Sequence, residues 1–285
     1  MKTASFALLI SLLILRSYSV NAQTDNYKKG LDAMQSNRYH EAMVSFTKVV
    51  ENEKFEISGK DLSQAYAYLA VIRTAYLEKD VKTFKFSNII AKQGQIQQTI
   101  EEMVRAVKYQ DNNTKSMLND AKKTLIEVSS KALKVIGDSL MTYDESQPNE
   151  TTEFLANFAI QQFGDLEEIS VDDWELHDIL GLAHFYLGQN DKAMTEFKKG
   201  REQFSKLTEQ PLSPLHLKNF VLSANYYFKV ENNKKETQNV CKQGSSYTSV
   251  LINNLDDSQM NEILRLNKIE NRFRSYMTRI EDSSN

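Results

Sequence analysis

The chain has 285 residues and a formal net charge of −3, from 35 lysine and arginine against 38 aspartate and glutamate side chains. It contains 9 glycines and 3 prolines, well below the roughly 7% and 5% of ordinary proteins, and this shortage excludes β-sandwiches, propellers and active sites built on glycine-rich loops. With 41% hydrophobic and 10% aromatic residues, the composition predicts a helical protein with a core and short polar connections.

The amino terminus is typical of a secretory signal peptide. Lys2 is followed by the apolar run 6–15, and a small-x-small sequence ends at Ala22. We expect cleavage between Ala22 and Gln23, so that residues 1–22 are removed and the protein is periplasmic or extracellular. The apolar run is too short to span about 30 Å of hydrocarbon, which argues against the alternative of an uncleaved membrane anchor. No later segment predicts a transmembrane helix.

The mature chain would be more acidic than the whole, because residues 1–22 include Lys2 and Arg16 but no acidic residue. An acidic chain without a basic block argues against nucleic acid as a ligand. Cys241 is the only cysteine, so an internal disulfide is impossible. Its thiol is either a buried small side chain or able to pair between chains.

Apolar residues recur at helical spacing from residue 26 onward. The segment 26–52 predicts two helices, and the short polar link 36–38 between them favours an antiparallel pair. Gly137 is the expected end of one later helix, and the polar stretch 144–150 is the expected internal boundary. Further helices are predicted over 61–79, 81–92, 95–109, 115–136, 152–163, 216–229, 235–243 and 259–279.

Two segments share a pattern in which a glycine and an alanine lie twelve residues apart and a phenylalanine follows four residues later. The residues are Gly30, Ala42 and Phe46 in the first segment, and Gly181, Ala193 and Phe197 in the second. Small residues allow two helices to approach closely, and the aromatic ring fills the remaining space. Tyr39 and Tyr186 are further aromatic matches.

This pattern resembles the tetratricopeptide repeat, a helical unit of about 34 residues. The resembling units cover about 24–54 and 174–205, within an N-terminal region 23–143 and a C-terminal region 150–285. Lys29, His177 and His184 depart from the usual repeat, so the chain resembles a divergent member. The resemblance implies an all-α fold in which antiparallel helix pairs stack as a right-handed solenoid.

The sequence contains few residues that could bind a metal ion or act as a catalytic nucleophile. His177 and His184 are two helical turns apart and share a face, and a zinc site could be completed with Asp173 or Glu175. Both histidines, however, occupy packing positions of the repeat, and the two acidic residues precede or begin a helix, where they favour capping. We therefore predict no metal, no cofactor and no catalytic site. A Cys241 nucleophile is the alternative that the residues leave open.

The resemblance also implies a partner-binding groove lined by first-helix residues, because tetratricopeptide repeats hold peptides there. An extended or helical peptide of basic character would suit its aromatic and carboxylate side chains. The same aromatic residues could instead pack against neighbouring helices. By position, the groove residues are Tyr27, Leu31, Met34, Glu175, Asp178, Leu182, Phe185, Tyr186, Phe220, Tyr227 and Phe228.

The sequence thus predicts an exported, noncatalytic interaction or scaffold protein that binds a protein or peptide. A small-ligand or glycan-binding protein of the cell envelope is the alternative, and an enzyme with unrecognised residues is a third class. The signal peptide and the composition rich in lysine and asparagine resemble proteins of Gram-negative bacteria of the Bacteroidetes type. A secreted eukaryotic protein is the alternative source.

Overall fold

The computed structural model describes residues 24–51, 59–81, 84–143, 148–170 and 173–282. Within these ranges the regular elements are all helical, and none is a strand. The predicted signal peptide lies outside the described residues. The α-helices are α1 (24–35), α2 (Tyr39–Val50), α3 (Gly59–Asp80), α4 (Phe86–Ile90), α5 (Gln95–Lys108), α6 (Lys115–Met141), α7 (Glu150–Phe163), α8 (Trp174–Tyr186), α9 (Asn190–Phe204), α10 (Pro214–Lys229), α11 (Lys234–Asn253) and α12 (Met260–Asp282).

Consecutive helices pack as antiparallel pairs, which confirms the predicted all-α class of stacked helix pairs. The tight links 36–38 and 187–189 reverse the chain between α1 and α2 and between α8 and α9. Gly188 has a φ of 69°, a backbone conformation that glycine adopts without steric cost. These short connections therefore hold α2 against α1 and α9 against α8.

The glycines of the repeat pattern lie where two helices meet. A Cβ atom at Gly30 would come within 2.6 Å of the Phe46 ring, and one at Gly181 within 2.5 Å of the Phe197 ring. Both rings are almost completely buried. Because the two segments share the same spacing, both contain the same contact, in which a phenylalanine ring packs directly against a glycine.

Two other glycines lie inside helices, although the first of them was expected at a helix end. Gly137 was expected to end a helix, but α6 continues to Met141, since Ile179 packs into the space that a Cβ at Gly137 would fill. Likewise α11 passes through Gly244 to Asn253, and the Phe273 ring occupies the corresponding space. Both glycines therefore provide space for a side chain from another helix.

The described residues form two compact units. The first contains 24–132 and 161–170, and the second contains 133–160 and 173–282. The chain thus passes between units within α6 and again within α7. The boundary predicted in the link 144–150 falls largely outside the described residues and stays a prediction. Of the helices in the described part of the chain, none is both long and apolar enough to span a bilayer.

The glycine–aromatic packing is testable in the first unit. Replacing Gly30 with alanine should lower the free energy of unfolding by about 1–3 kcal/mol, because the new methyl group overlaps the buried Phe46 ring. The matched control is Gly164→Ala, since a Cβ there meets nothing within 4 Å among the described residues. Urea denaturation of both variants provides the measurement. Equal stability of the two variants would contradict the packing.

Candidate binding site

The second unit contains a cavity of about 410 Å³ between the end of α9, the start of α10 and the middle of α11. This cavity is called the α9–α11 cavity below. Among its described lining residues, two carry a positive charge and none carries a carboxylate. The residues that determine its chemistry are Arg201, Phe204, His216, Phe220, Lys242 and Tyr247.

Aromatic rings surround His216 in the wall of the α9–α11 cavity. The imidazole stacks on Phe204, with ring centroids 3.8 Å apart and planes at 21°. Phe220 and Tyr247 meet the imidazole edge-on, at centroid distances of 4.9 and 5.5 Å. Trp174 meets it in the same way at 5.5 Å. Such edge-to-face contacts fix the ring planes, so the histidine is held in one orientation.

A buried carboxylate on α8 sets the chemistry of the histidine. Asp178 has no exposed surface, and its Oδ2 lies 2.6 Å from His216 Nδ1. Its Oδ1 accepts a hydrogen bond of 2.5 Å from Asn219 Nδ2. Gly200 on α9 leaves room for this carboxylate, because a Cβ there would collide with it. A carboxylate only accepts hydrogen bonds, so Nδ1 of His216 carries the proton.

Arg201 supplies a positive charge to the same buried cluster. Its Nη1 donates to Asn219 Oδ1 at 2.5 Å and to Ser223 Oγ at 2.7 Å. Asn219 thus connects the guanidinium to the Asp178 carboxylate. Burial lowers the pKa of Arg201, while Tyr227 and Asp178 oppose that shift. The cluster therefore contains one formal charge of each sign, joined through hydrogen bonds.

The second ring nitrogen of His216, Nε2, is not hydrogen-bonded in the way that Nδ1 is. Nε2 is buried and has no hydrogen-bond partner among the residues that the structure describes. Nε2 therefore lies behind the surface of the cavity and is not exposed in it.

The predicted groove residues fall into two groups. Leu31, Met34, Glu175, Phe185 and Phe228 are half-buried, and partner binding through them stays a prediction. The others are buried within their own unit and do not line an open surface, apart from Phe220 in the cavity wall. This buried group consists of Tyr27, Asp178, Leu182, Tyr186, Phe220 and Tyr227.

Two buried tyrosines of that group donate hydrogen bonds within their own unit. The Tyr186 hydroxyl donates to the carbonyl oxygens of Leu140 and Tyr143 at 3.1 and 2.8 Å. The Tyr27 hydroxyl donates to Gln64, and burial raises the pKa of Tyr27 to about 12. Helical position alone placed these side chains on a groove face, but the neighbouring helices cover them.

Sequence reasoning missed Arg201, His216, Lys242 and Tyr247 as members of a site. They come from three helices and share no motif. One signal was available: His216, Asn219 and Ser223 are polar residues at spacings of three and four on the buried face of α10, which is largely apolar. Paired polar residues at a core face indicate a buried network.

The histidines considered for zinc have protein partners at their Nδ1 atoms. His177 Nδ1 lies 2.8 Å from Glu196 Oε2, and His184 Nδ1 lies 2.9 Å from Gln189 Oε1. Asp173 caps α8 by accepting from the backbone N–H groups of residues 175 and 176, as the sequence predicted. Glu175 pairs with Lys134. These contacts agree with packing and capping roles.

Cys241 is completely buried on α11. Burial raises the pKa of its thiol to about 12, so the sulfur stays protonated and unreactive at neutral pH. Of the two possibilities left open by the sequence, the buried small side chain is the correct one.

The first unit contains a different cavity, of about 590 Å³, lined by residues of α2, α3 and α5. Arg73 lies in its wall, and its Nε is 2.6 Å from Oε2 of the buried Glu102. Burial raises the pKa of Glu102 to about 7, although the charge of Arg73 opposes this shift. This cavity therefore adjoins a carboxyl group that titrates near neutral pH.

No family model matches the chain, and no curated protein matches it. Among solved structures, the chain is similar to the assembly chaperone of RpL4 (Acl4, residues 1–338). The TM-score is 0.38 and the identity is 11%, over 93% of this chain and 86% of that chain. The fold assignment therefore depends on the helices and their packing.

Glu102 predicts a pH dependence of the first unit. The folded carboxyl keeps its proton up to about pH 7, whereas the unfolded one releases it near 4.5. This contribution to stability is complete below pH 4.5 and is lost as the pH rises through 7, by about 3 kcal/mol in all. Glu102→Gln should lack this loss. Hydrogen exchange of α3 and α5 amides measures the difference from the unmodified chain at each pH.

The neighbouring Glu101 provides the matched control for this titration. It is half-buried and accepts a hydrogen bond of 2.7 Å from Gln97. Glu101→Gln should therefore keep the pH dependence of the unmodified chain. A flat stability difference between the chain and Glu102→Gln from pH 4.5 to 7.5 would show that burial does not raise the Glu102 pKa.

Proposed function

We propose that the chain is a noncatalytic binding protein that holds a protein or peptide partner on the helical surface of its second unit. The observation that carries this proposal is the α9–α11 cavity, whose lining combines the aromatic rings of Phe204, Phe220 and Tyr247 with the positive charges of Arg201 and Lys242. Val250 lines the cavity and is 47% exposed, which adds apolar surface at its edge. Aromatic pockets with a few polar groups are typical anchor points of interfaces.

A binding role fits the buried cluster better than catalysis does. An Asp–His pair is catalytic when the outer ring nitrogen faces a nucleophile or a reacting group. Among the described residues, Nε2 of His216 has no such neighbour within hydrogen-bond distance. The Cys241 thiol is protonated and buried. The proposal is therefore that the Asp178–His216 pair holds α8 and α10 together beside the cavity.

A second contact surface follows from the resemblance to tetratricopeptide repeats. Two apolar groove residues of the second unit are half-buried, so part of each remains available to a partner: Phe185 and Phe228. A partner that engages both this surface and the α9–α11 cavity would be held at more than one point, as a scaffold protein requires.

We also propose that the protein is exported, on the basis of the signal-peptide pattern in residues 1–22. The exported chain should begin at Gln23 when its amino terminus is sequenced after purification from culture medium or periplasm. A chain from the host that still begins at Met1 in a membrane fraction would support the uncleaved anchor instead.

Binding of a small molecule is the second candidate function. The α9–α11 cavity, at about 410 Å³, falls in the range of roughly 300–1,000 Å³ that small-ligand pockets occupy. A thermal-shift screen separates the two functions, since a sugar or metabolite that raises the melting temperature would favour this candidate.

The peptide-binding proposal predicts a specific loss on filling the cavity. Peptides selected from a random display library on residues 23–285 should bind Ser246→Phe at least about tenfold more weakly, because Ser246 lines the cavity and a phenyl ring there occupies it. Asn239→Phe is the matched control. It adds the same ring to the exposed face of α11, two turns away and outside the cavity lining.

Calorimetric titration of the selected peptides gives the affinities for both variants. Equal affinity for the unmodified chain and Ser246→Phe would place the peptide surface elsewhere. A library that yields no binding peptide at all would count against the peptide-binding function itself.

A further inference from the structure

The second unit contains another cavity, of about 380 Å³, between the end of α6, the start of α8 and the link that precedes α10. It is called the α6–α8 cavity below, and its volume falls within the roughly 300–1,000 Å³ of small-ligand pockets. Its charged described lining residues are two carboxylates and one lysine, whereas those of the α9–α11 cavity are cations. The lining residues on which the argument depends are Lys134, Asp138, Trp174, Glu175, Pro211 and Leu212.

Trp174 gives the α6–α8 cavity an aromatic surface. Its indole meets Phe204 at a centroid distance of 4.9 Å with the planes at 84°, and it meets His216 at 5.5 Å and 78°. These contacts fix the plane of the indole. Trp174 is only half-buried, so part of its ring remains open to a ligand. Among aromatic side chains, the indole ring attracts cations most strongly.

Carboxylates outnumber the cation beside this ring. Lys134 donates a hydrogen bond to Glu175, and this bond raises the pKa of Lys134 above its usual value. The negative charges of Glu175, Asp138 and Asp173 raise that pKa as well, while burial opposes the shift. Asp138 is exposed and has neither a hydrogen bond nor an ion pair to another described residue. Because the lysine is paired with Glu175, the carboxylate of Asp138 is left for a cationic ligand.

The remaining lining suits an aliphatic stem. Met141, Leu212 and Leu215 line the cavity together with Pro211 and Pro214, and Leu212 is 49% exposed. A long cationic side chain lays its methylene groups on apolar surface and keeps its charged end at polar groups. The α6–α8 cavity therefore fits a side chain in which a methylene stem ends in a cation.

Both arginine and lysine have this form, and the pairing of a flat ring with a carboxylate favours arginine. A guanidinium is planar, stacks on aromatic rings and can donate two parallel hydrogen bonds to one carboxylate. The ammonium group of lysine is a compact and more strongly hydrated charge. Trp174 and Asp138 supply the two kinds of partner that a guanidinium uses.

We propose that the α6–α8 cavity binds an arginine side chain of the partner, with the guanidinium against Trp174 and in an ion pair with Asp138. This assignment rests on the proposed function, because it names a residue by which the bound peptide is held. Both cavities of the second unit border the same link, since Gln210 lines the α9–α11 cavity and Pro211 lines the α6–α8 cavity. One bound peptide can therefore occupy both.

A matched pair of ligands tests the charge. N-acetyl-argininamide and N-acetyl-citrullinamide have the same stem and a planar end group of nearly the same shape, but only the arginine compound is a cation. Both are titrated into the full mature chain, and binding is followed by the fluorescence of Trp174, the only tryptophan. The arginine compound should change this fluorescence and bind at least about fivefold more tightly. Added salt should weaken the preference, because it screens the ion pair.

Asp138→Asn is the variant that isolates the carboxylate. The substitution keeps the shape of the side chain and removes its charge, so the preference for the arginine compound should fall by at least about threefold. Asp282→Asn is the matched control, since it removes the same charge from an exposed residue of α12 outside the cavity lining. This control should keep the preference of the unmodified chain. The two ligands test the charge in the unmodified chain even if Asp138→Asn does not fold.

Several outcomes would overturn the assignment. Equal affinities for the arginine and citrulline compounds would show that the charge is not recognised. Tighter binding of N-acetyl-lysinamide would indicate a site for a compact ammonium group. An unchanged preference in Asp138→Asn would exclude its carboxylate as the partner of the guanidinium. Binding of none of these compounds would mean that the cavity takes no cationic side chain.

The displayed peptides separate this assignment from the proposed function. If they bind and Ser246→Phe weakens their binding, but replacing their arginines with citrulline has no effect, the peptide-binding function stands and the arginine assignment fails. If the arginine amide binds as described but the display library yields no peptide, the chemistry of the α6–α8 cavity stands and the peptide-binding function fails.

Discussion

The carboxylate of Asp178 is the constraint on which the second unit depends. A buried charge without partners would be costly, and this one is satisfied by groups from a helix 38 or more residues later in the chain. Asn219 also donates to the Phe197 carbonyl oxygen at 2.9 Å, so α8, α9 and α10 meet at one point. Space for the carboxylate exists because residue 200 is glycine.

The orientation of His216 follows from that constraint. The Nδ1 atom is hydrogen-bonded to Asp178, and the rings stacked around the imidazole prevent it from turning away. The contacts that hold α8 and α10 together therefore also fix one wall of the α9–α11 cavity.

Much of the fold was predictable, because helices and their pairing depend on local patterns. Apolar spacing located the helices, and the two glycine–alanine–phenylalanine segments indicated the tight helix pairs that the structure contains. Gly137 was predicted incorrectly as a helix end, since the space beside it is occupied by Ile179, 42 positions away. The candidate site was mostly not predictable. Of its lining residues, Phe220 alone was among the predicted groove positions, and it was placed there for a different surface.

The amino-acid sequence by itself determined the helical class, the repeated small-and-aromatic packing and the capping of α8 by Asp173. Only the tertiary structure decided which aromatic residues are buried, where the cavity lies and which nitrogen of His216 lacks a partner. The physical reason is distance along the chain. Helix periodicity and capping act over a few residues, whereas Asp178, Arg201 and His216 acquire their chemistry only when three separate helices bring them into contact.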